Sequence, residues 1–98
     1  MKISRILKKP LKPFILRQHH LDIASVLLKH RGERLSDVKI QEELYGGHDH
    51  HGWEIDAVLV MAGCFYLSKF GYLDKIPYGD YSSNEKTLSL FDLTPVPG

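Results

Sequence analysis

The feature that most constrains this chain is an unbroken apolar run from Ala57 to Leu67, in which every residue is hydrophobic or glycine. The run is about half as long as the roughly 20 residues that a membrane-spanning helix needs. It lies inside a longer segment, Trp53 to Phe70, which has the length of about five helical turns and is followed by Gly71. The sequence therefore predicts a long central helix in a small water-soluble domain.

This predicted helix is apolar on more than one face. If Leu67 points inward, helical spacing places three residues on the same side, namely Val60, Gly63 and Cys64. The opposite side then needs cover, because large exposed apolar patches usually mark interfaces. The predicted partner interface consists of Val58, Met61, Ala62 and Phe65. Three kinds of cover are open: a second copy of the chain, a different protein, or the N-terminal segment through Phe14, Ile15 and Leu16.

Composition places the chain among ordinary globular proteins. Its 98 residues are fewer than those of one typical domain of about 150. Its hydrophobic share of 43% and charged share of 26% exclude wholesale disorder. The single cysteine, Cys64, excludes an intramolecular disulfide and a thiolate zinc site. Charged residues and prolines interrupt residues 1–20, so no signal peptide is predicted, and we expect a cytoplasmic protein.

Charge is distributed unevenly along the chain. The formal net charge is only +1, yet residues 1–17 contain no acidic residue and six basic ones. These are Lys2, Arg5, Lys8, Lys9, Lys12 and Arg17. We predict that residues 1–17 form an irregular basic arm, because Pro10 and Pro13 break regular structure. Such an arm can bind phosphate backbones through counterion release, or it can lie solvated or docked on the acidic remainder of the chain.

Two further helices are predicted before the apolar one. Gln18 to His30 carries a helical stripe that comprises Leu21, Ala24, Leu27 and Leu28, flanked by Ile23 and Val26. Ser36 is a candidate N-cap residue followed by Asp37, and Gly46 with Gly47 ends this shorter helix. A polar loop, His48 to Gly52, then leads to the apolar helix.

After residue 71 the sequence no longer has the hydrophobic spacing of a helix. Tyr72 to Tyr78 and Thr87 to Thr94 predict two strands, and residues 79–86 between them form a loop rich in turn-forming types. The final segment, Pro95 to Gly98, cannot continue a strand ladder and is expected to be a frayed tail. The predicted fold class is α+β, with one domain over residues 18–94.

Two segments of this domain resemble a known family. The stretch from Leu67 to Leu73, with Gly71 inside it, looks like the leucine-x-x-x-glycine-x-aliphatic passage from the third helix into the wing of prokaryotic and phage winged-helix regulators. Leu88 to Thr94 is similar to the returning strand of that wing. The resemblance covers residues 18–94 and implies three helices followed by a two-stranded hairpin wing. It also implies a third helix in the DNA major groove, with the wing against the backbone.

The resemblance implies a small, non-enzymatic DNA-binding protein that acts in transcription regulation. The candidate DNA contacts in this sequence are the six basic arm residues together with Lys39, Gln41, His50, His51, Trp53 and Lys86. The third helix departs from the family pattern, because it begins with Glu54 and Asp56 and its only basic residue is Lys69. The alternative is a winged-helix protein-interaction module or inhibitor that uses this apolar, acid-tipped helix, either as a homodimer or with a different protein.

Other polar residues offer little chemistry. The cluster His48-Asp49-His50-His51 has three readings: a solvated loop, a metal site, or imidazoles that add positive charge near DNA when protonated. Cys64 lacks an activating neighbour in sequence, so an inert buried thiol is expected rather than a nucleophile. Side chains at the predicted wing could donate to phosphates, namely Tyr78, Tyr81, Ser82, Ser83, Asn84 and Lys86. No catalytic motif, cofactor, small-molecule substrate or membrane contact is predicted.

Overall fold

The computed structural model describes residues 13–97 and has the predicted α+β class. In chain order its elements are α1 (Gln18–Lys29), β1 (Leu35–Ser36), α2 (Asp37–Tyr45), α3 (Trp53–Lys69), β2 (Leu73–Ile76), β3 (Asp80–Ser83) and a 3-10 helix, η1 (Thr87–Asp92). Five of the six arm residues predicted to bind DNA lie outside the described residues, namely Lys2, Arg5, Lys8, Lys9 and Lys12.

The inner face of α3 forms the centre of the core, as its spacing predicted. The residues of α3 that are buried are Val60, Gly63, Cys64 and Leu67. They pack with residues of α1, of which His20, Ile23, Ala24, Val26 and Leu27 are buried. The predicted α1 stripe was partly wrong. Ala24 and Leu27 are buried as predicted, but Leu21 and Leu28 are only half-buried. The residues predicted to flank the stripe, Ile23 and Val26, are buried instead. Within residues 13–97, no helix is long and apolar enough to cross a membrane.

The predicted ends of α2 and α3 are confirmed. The Ser36 hydroxyl accepts a hydrogen bond from the Lys39 N–H at the start of α2. At the end of α3, Gly71 has a φ of +84°, which glycine adopts without a steric penalty. The N–H of Tyr72 donates to the carbonyl of Leu67 and that of Gly71 to Ser68, which is the hydrogen-bond pattern of a Schellman motif. This motif directs the chain from α3 straight into β2.

The sheet has three antiparallel strands in the order β1-β3-β2. Its central strand, β3, pairs Tyr81 with Leu35 on one side and with Lys75 on the other. This strand lies where the sequence predicted a loop, so that prediction was wrong. Only Tyr81 in β3 is buried, and its neighbours are polar residues with a low strand propensity. Pairing with two neighbouring strands stabilises a segment that its own composition does not specify.

The second predicted strand, Thr87 to Thr94, was also wrong, because the 3-10 helix η1 occupies this segment. Asn84 starts the turn: its side-chain Oδ1 accepts from the Lys86 N–H, and its Nδ2 donates to the Gly71 carbonyl. The fully buried Thr87 then accepts from the Asn84 N–H through Oγ1 and donates to the Tyr72 carbonyl at 2.6 Å. These bonds turn the chain away from the sheet. Leu90 of η1 completes the core.

The described segments on either side of the predicted domain, residues 13–17 and 95–97, contact each other and the domain. Leu16 is 3% exposed and belongs to the core, so the packed domain begins before residue 18. The carbonyl of Leu16 accepts from the Val96 N–H at 2.8 Å, and the Arg17 guanidinium donates to the Pro97 carbonyl at 2.7 Å. The predicted frayed tail is therefore wrong for residues 95–97. Arg17 holds the C-terminal segment.

Thr87→Val tests the junction between η1 and β2. Valine keeps the shape of threonine but leaves the Asn84 N–H and the Tyr72 carbonyl without the hydroxyl they bind. We expect the free energy of unfolding to fall by about 1–3 kcal/mol, measured by urea denaturation. Thr87→Ser is the matched control, because it keeps the hydroxyl and should cost less. A Thr87→Val variant as stable as the wild type would contradict this account.

His20 is a buried imidazole at the start of α1. Its Nδ1 accepts a hydrogen bond from the Arg17 N–H at 2.9 Å, and its ring stacks on Tyr66 with 5.1 Å between centroids. The pKa of His20 is lowered from 6.5 to about 4, mainly by burial and to a smaller extent by the charges of His19 and Arg17. The folded protein therefore holds this histidine neutral in mildly acidic solution.

The pH dependence of stability should show this depressed pKa. Between about pH 6.5 and pH 4 the unfolded chain protonates His20 and the folded chain does not, so stability falls as the pH falls through this window. His19, whose pKa is also lowered, contributes with the same sign. We expect chemical denaturation midpoints of a His20→Asn variant, whose amide oxygen can accept the Arg17 N–H, to depend less on pH. An unchanged slope would show that the buried imidazole is not its source.

Candidate functional site

The outer face of α3 is the most prominent surface feature of the described residues. Ile55, Val58, Met61 and Phe65 are each more than half exposed, with Ile55 at 68%. Leu59 and Ala62 are exposed beside them. We call these six residues the α3 outer face. They repeat at helical spacing along one side, while Val60, Gly63, Cys64 and Leu67 fill the other side inside the core.

The four residues predicted as a partner interface all belong to the α3 outer face. Ile55 and Leu59 were not predicted, although Ile55 precedes Val58 by three positions and shares its side of the helix. The suggested cover by residues 14–16 is wrong. Phe14 packs on Tyr66, Phe70 and Tyr72 at the flank of α3, with centroid distances from 4.8 to 5.4 Å. Leu16 enters the core, and no residue between positions 13 and 97 covers the outer face.

Opposite charges lie at the two ends of this face. Glu54 is exposed in the first turn of α3 and Lys69 in the last turn, where each charge suits the helix dipole. Lys75 of β2 places its Nζ 5.3 Å from the centroid of the Phe65 ring, a cation–π contact that sequence reasoning missed because it joins two elements. The face is therefore apolar in the middle, acidic at the N-terminal end and basic at the C-terminal end.

Gln41, predicted as a groove contact, lies inside the domain instead. It is 2% exposed. Its Nε2 donates to the carbonyl of Trp53 at 3.1 Å and to that of Gly47 at 3.4 Å, and its Oε1 is 3.2 Å from His48 Nε2. The amide thereby joins α2, the polar loop and the start of α3. Because these bonds use the side chain inside the domain, Gln41 is not part of a contact surface.

The histidine-rich loop forms pairs rather than a cluster. His50 Nε2 lies 2.7 Å from Asp56 Oδ2, and the His48 ring lies 4.8 Å from the half-buried Trp53 ring. His51 is exposed. Across residues 13–97, no three histidine, cysteine, aspartate or glutamate side chains come together in a way that could hold a metal ion. The loop therefore anchors the N-terminus of α3 through side-chain pairs.

The remaining candidate DNA contacts are scattered over the surface. Arg17 binds the C-terminal segment, Lys39 is exposed on α2, and Lys86 lies 5.1 Å above the Tyr72 ring. Among the predicted wing residues, Tyr78 is fully exposed at the hairpin turn, with a φ of +77°. Tyr81 is buried, and Asn84 is engaged in the turn before η1. The Asn84 amide nitrogen, which donates to the Gly71 carbonyl and to Asp74, is therefore not free to donate to a phosphate.

Cys64 has the environment of a structural residue. It is fully buried, and burial raises the pKa of its thiol from 9.0 to about 12, with a smaller contribution in the same direction from the charge of Asp37. A thiol that stays protonated and inaccessible is a poor nucleophile.

Comparisons with known proteins found no match to this chain among family models, curated proteins or solved structures.

Gln41→Leu tests the internal role of this amide. The leucine retains bulk but breaks the links from α2 to Trp53 and His48, so we expect the unfolding free energy to fall by about 1–3 kcal/mol. Lys39→Ala, two residues away on the exposed side of α2, is the control and should change stability by less than about 0.5 kcal/mol. Urea denaturation measures both. Equal stability of the two variants would contradict the assignment.

Proposed function

We propose that the chain is a small, non-enzymatic winged-helix module that binds a protein surface through the α3 outer face. The winged-helix assignment is supported by the element order α1-β1-α2-α3-β2-β3 and by the sheet order β1-β3-β2. In this reading β2 and β3 are the wing, with the turn at residues 77–79. The long returning strand expected from the resemblance is replaced by a short β3 followed by η1.

The observation that carries the proposal is the exposure of Val58, Met61 and Phe65 on one helix face, each above one half. A monomeric soluble protein rarely leaves a contiguous apolar patch uncovered unless the patch is an interface. Interface centres are apolar, poor in charge and enriched in aromatic residues and methionine, and their rims are polar. The α3 outer face has this arrangement, with Glu54 and Lys69 at its ends.

DNA binding is the second candidate. It is favoured by the same element and strand order, since winged helices commonly insert the third helix into the major groove, and by the six basic residues in positions 1–17. The α3 outer face does not favour it. Base edges are read by hydrogen-bonding side chains such as Arg, Asn and Gln. The exposed residues of the α3 outer face are aliphatic or aromatic, and the acidic Glu54 lies at the N-terminal end of the helix.

Met61→Asp, with an exposed residue of η1 as control, separates the two candidates. We expect this variant to lose the protein cross-links that the wild type forms in an extract of its source cells, because a desolvated carboxylate at an apolar contact is costly. Leu88→Asp changes a residue of similar exposure, 60% against 52%, on η1. It should keep those cross-links. Identical cross-linking patterns in both variants would contradict the proposal.

A DNA titration completes this comparison. Fluorescence anisotropy of a generic labelled duplex at about 50 and 200 mM salt detects counterion release, which weakens phosphate-driven binding by orders of magnitude over this range. The proposal expects weak binding that Met61→Asp does not change. Strong binding that is lost when Lys8, Lys9 and Lys12 are replaced by Ala, without any protein cross-link, would favour DNA binding instead.

A further inference from the structure

We infer that the partner of the α3 outer face is a second copy of this chain, with the two α3 helices packed antiparallel about a two-fold axis. This inference rests on the proposed function and specifies its partner. It follows from two properties of the helix: the order of its exposed residues and the sign of the charges at its ends.

Four exposed apolar residues of α3 are arranged symmetrically about a point between Met61 and Ala62. The exposed Ile55 and Leu59 lie outside this symmetric set, because their mirrored positions are the half-buried Ser68 and the buried Cys64. Glu54 and Lys69 are equally far from this point, and so are Val58 and Phe65. In a two-fold antiparallel pair, each residue faces the residue at the mirrored position of the other helix. Val58 therefore meets Phe65 of the partner subunit, while Met61 and Ala62 lie beside the axis. A single face thus supplies both halves of the contact.

The sizes of these side chains also suit a helix pair. Ala62 is small and lies near the centre, where two helix axes approach most closely, at about 8–10 Å. The larger Met61, Val58 and Phe65 fill the space around it. All of them are exposed in the single chain, so the contact forms without unfolding any part of the core.

The terminal charges favour the antiparallel orientation over the parallel one. Glu54 and Lys69 are about 22 Å apart along the axis, given a rise of 1.5 Å per residue. Antiparallel packing brings Glu54 beside Lys69 of the partner subunit, twice per dimer. Parallel packing would instead place each charge beside its own copy and produce two repulsive pairs. The same face thus attracts a second copy in one orientation only.

Sedimentation velocity of the full chain tests the dimer. We expect the wild type to convert from monomer to dimer between about 1 µM and 1 mM, the range of weak interfaces. Met61→Asp places two carboxylates next to the axis and should weaken the dimer at least tenfold. Leu88→Asp should have no effect. Thermal unfolding at low concentration checks that both variants fold, which is expected because both positions are exposed.

Charge exchange tests the orientation. Glu54→Lys and Lys69→Glu should each weaken the homodimer several-fold at low salt, because each creates two like-charge pairs. An equimolar mixture of these two variants should form a heterodimer, since both pairs are then attractive. The double variant Glu54→Lys/Lys69→Glu should recover the homodimer. This recovery is diagnostic, because both exchanged charges oppose the helix dipole and would otherwise lower helix stability.

The outcomes separate the dimer from the wider proposal. A wild type that stays monomeric throughout, or a dimer that Met61→Asp leaves intact, overturns the pairing of α3 helices. A dimer without recovery in the double variant overturns the antiparallel orientation. If the chain is monomeric yet Met61→Asp abolishes cross-links to another protein, the dimer fails and the proposed function stands. If those cross-links are also unaffected, both fail.

Discussion

The close approach of α1 and α3 at Gly63 is the contact on which the rest of the structure depends. A Cβ atom at this position would lie 2.6 Å from Ile23 Cδ1 and 3.3 Å from His19 Cδ2. Glycine therefore lets α1 lie directly against the middle of α3. The inner face of α3 is then covered by α1, α2 and β2, so the remaining apolar residues of this helix have no place inside and face solvent.

Contacts at both ends of α3 fix the helix with its inner face in the core and its outer face towards solvent. At its start, the buried Gln41 amide and the His50–Asp56 pair attach the helix to α2 and to the polar loop. At its end, the Schellman motif at Gly71 leads into β2, and Thr87 links η1 to Tyr72, the residue that precedes this strand. A helix fixed at both ends presents its outer face rigidly. A rigid face loses little conformational entropy when it binds.

The helices α1, α2 and α3 and the strand β2, which lies within the predicted strand Tyr72 to Tyr78, could be predicted from sequence, whereas β1 and β3 could not. The inner residues of α3, the Ser36 cap and the Gly71 exit follow from local periodicity and backbone preference. The strand β3 depends on pairing with both of its neighbouring strands. The helix η1 depends on the hydrogen bonds of Thr87 with the nearby Asn84 and with Tyr72, which lies 15 residues earlier in the chain. The exposed face of α3 was predictable in outline, but the buried role of Gln41 was not, because a polar residue on a short helix usually faces solvent.

The proposed dimer and a groove-reading role for α3 exclude each other physically. The dimer buries the same helix face that a winged helix presents to DNA. Removing Val58, Met61 and Phe65 from water is favourable by roughly 25 cal/mol for each Å² of apolar surface, whereas placing Glu54 near phosphates is repulsive. DNA contact by a dimer would therefore have to use positively charged residues away from this face, and α3 would contribute assembly rather than sequence recognition.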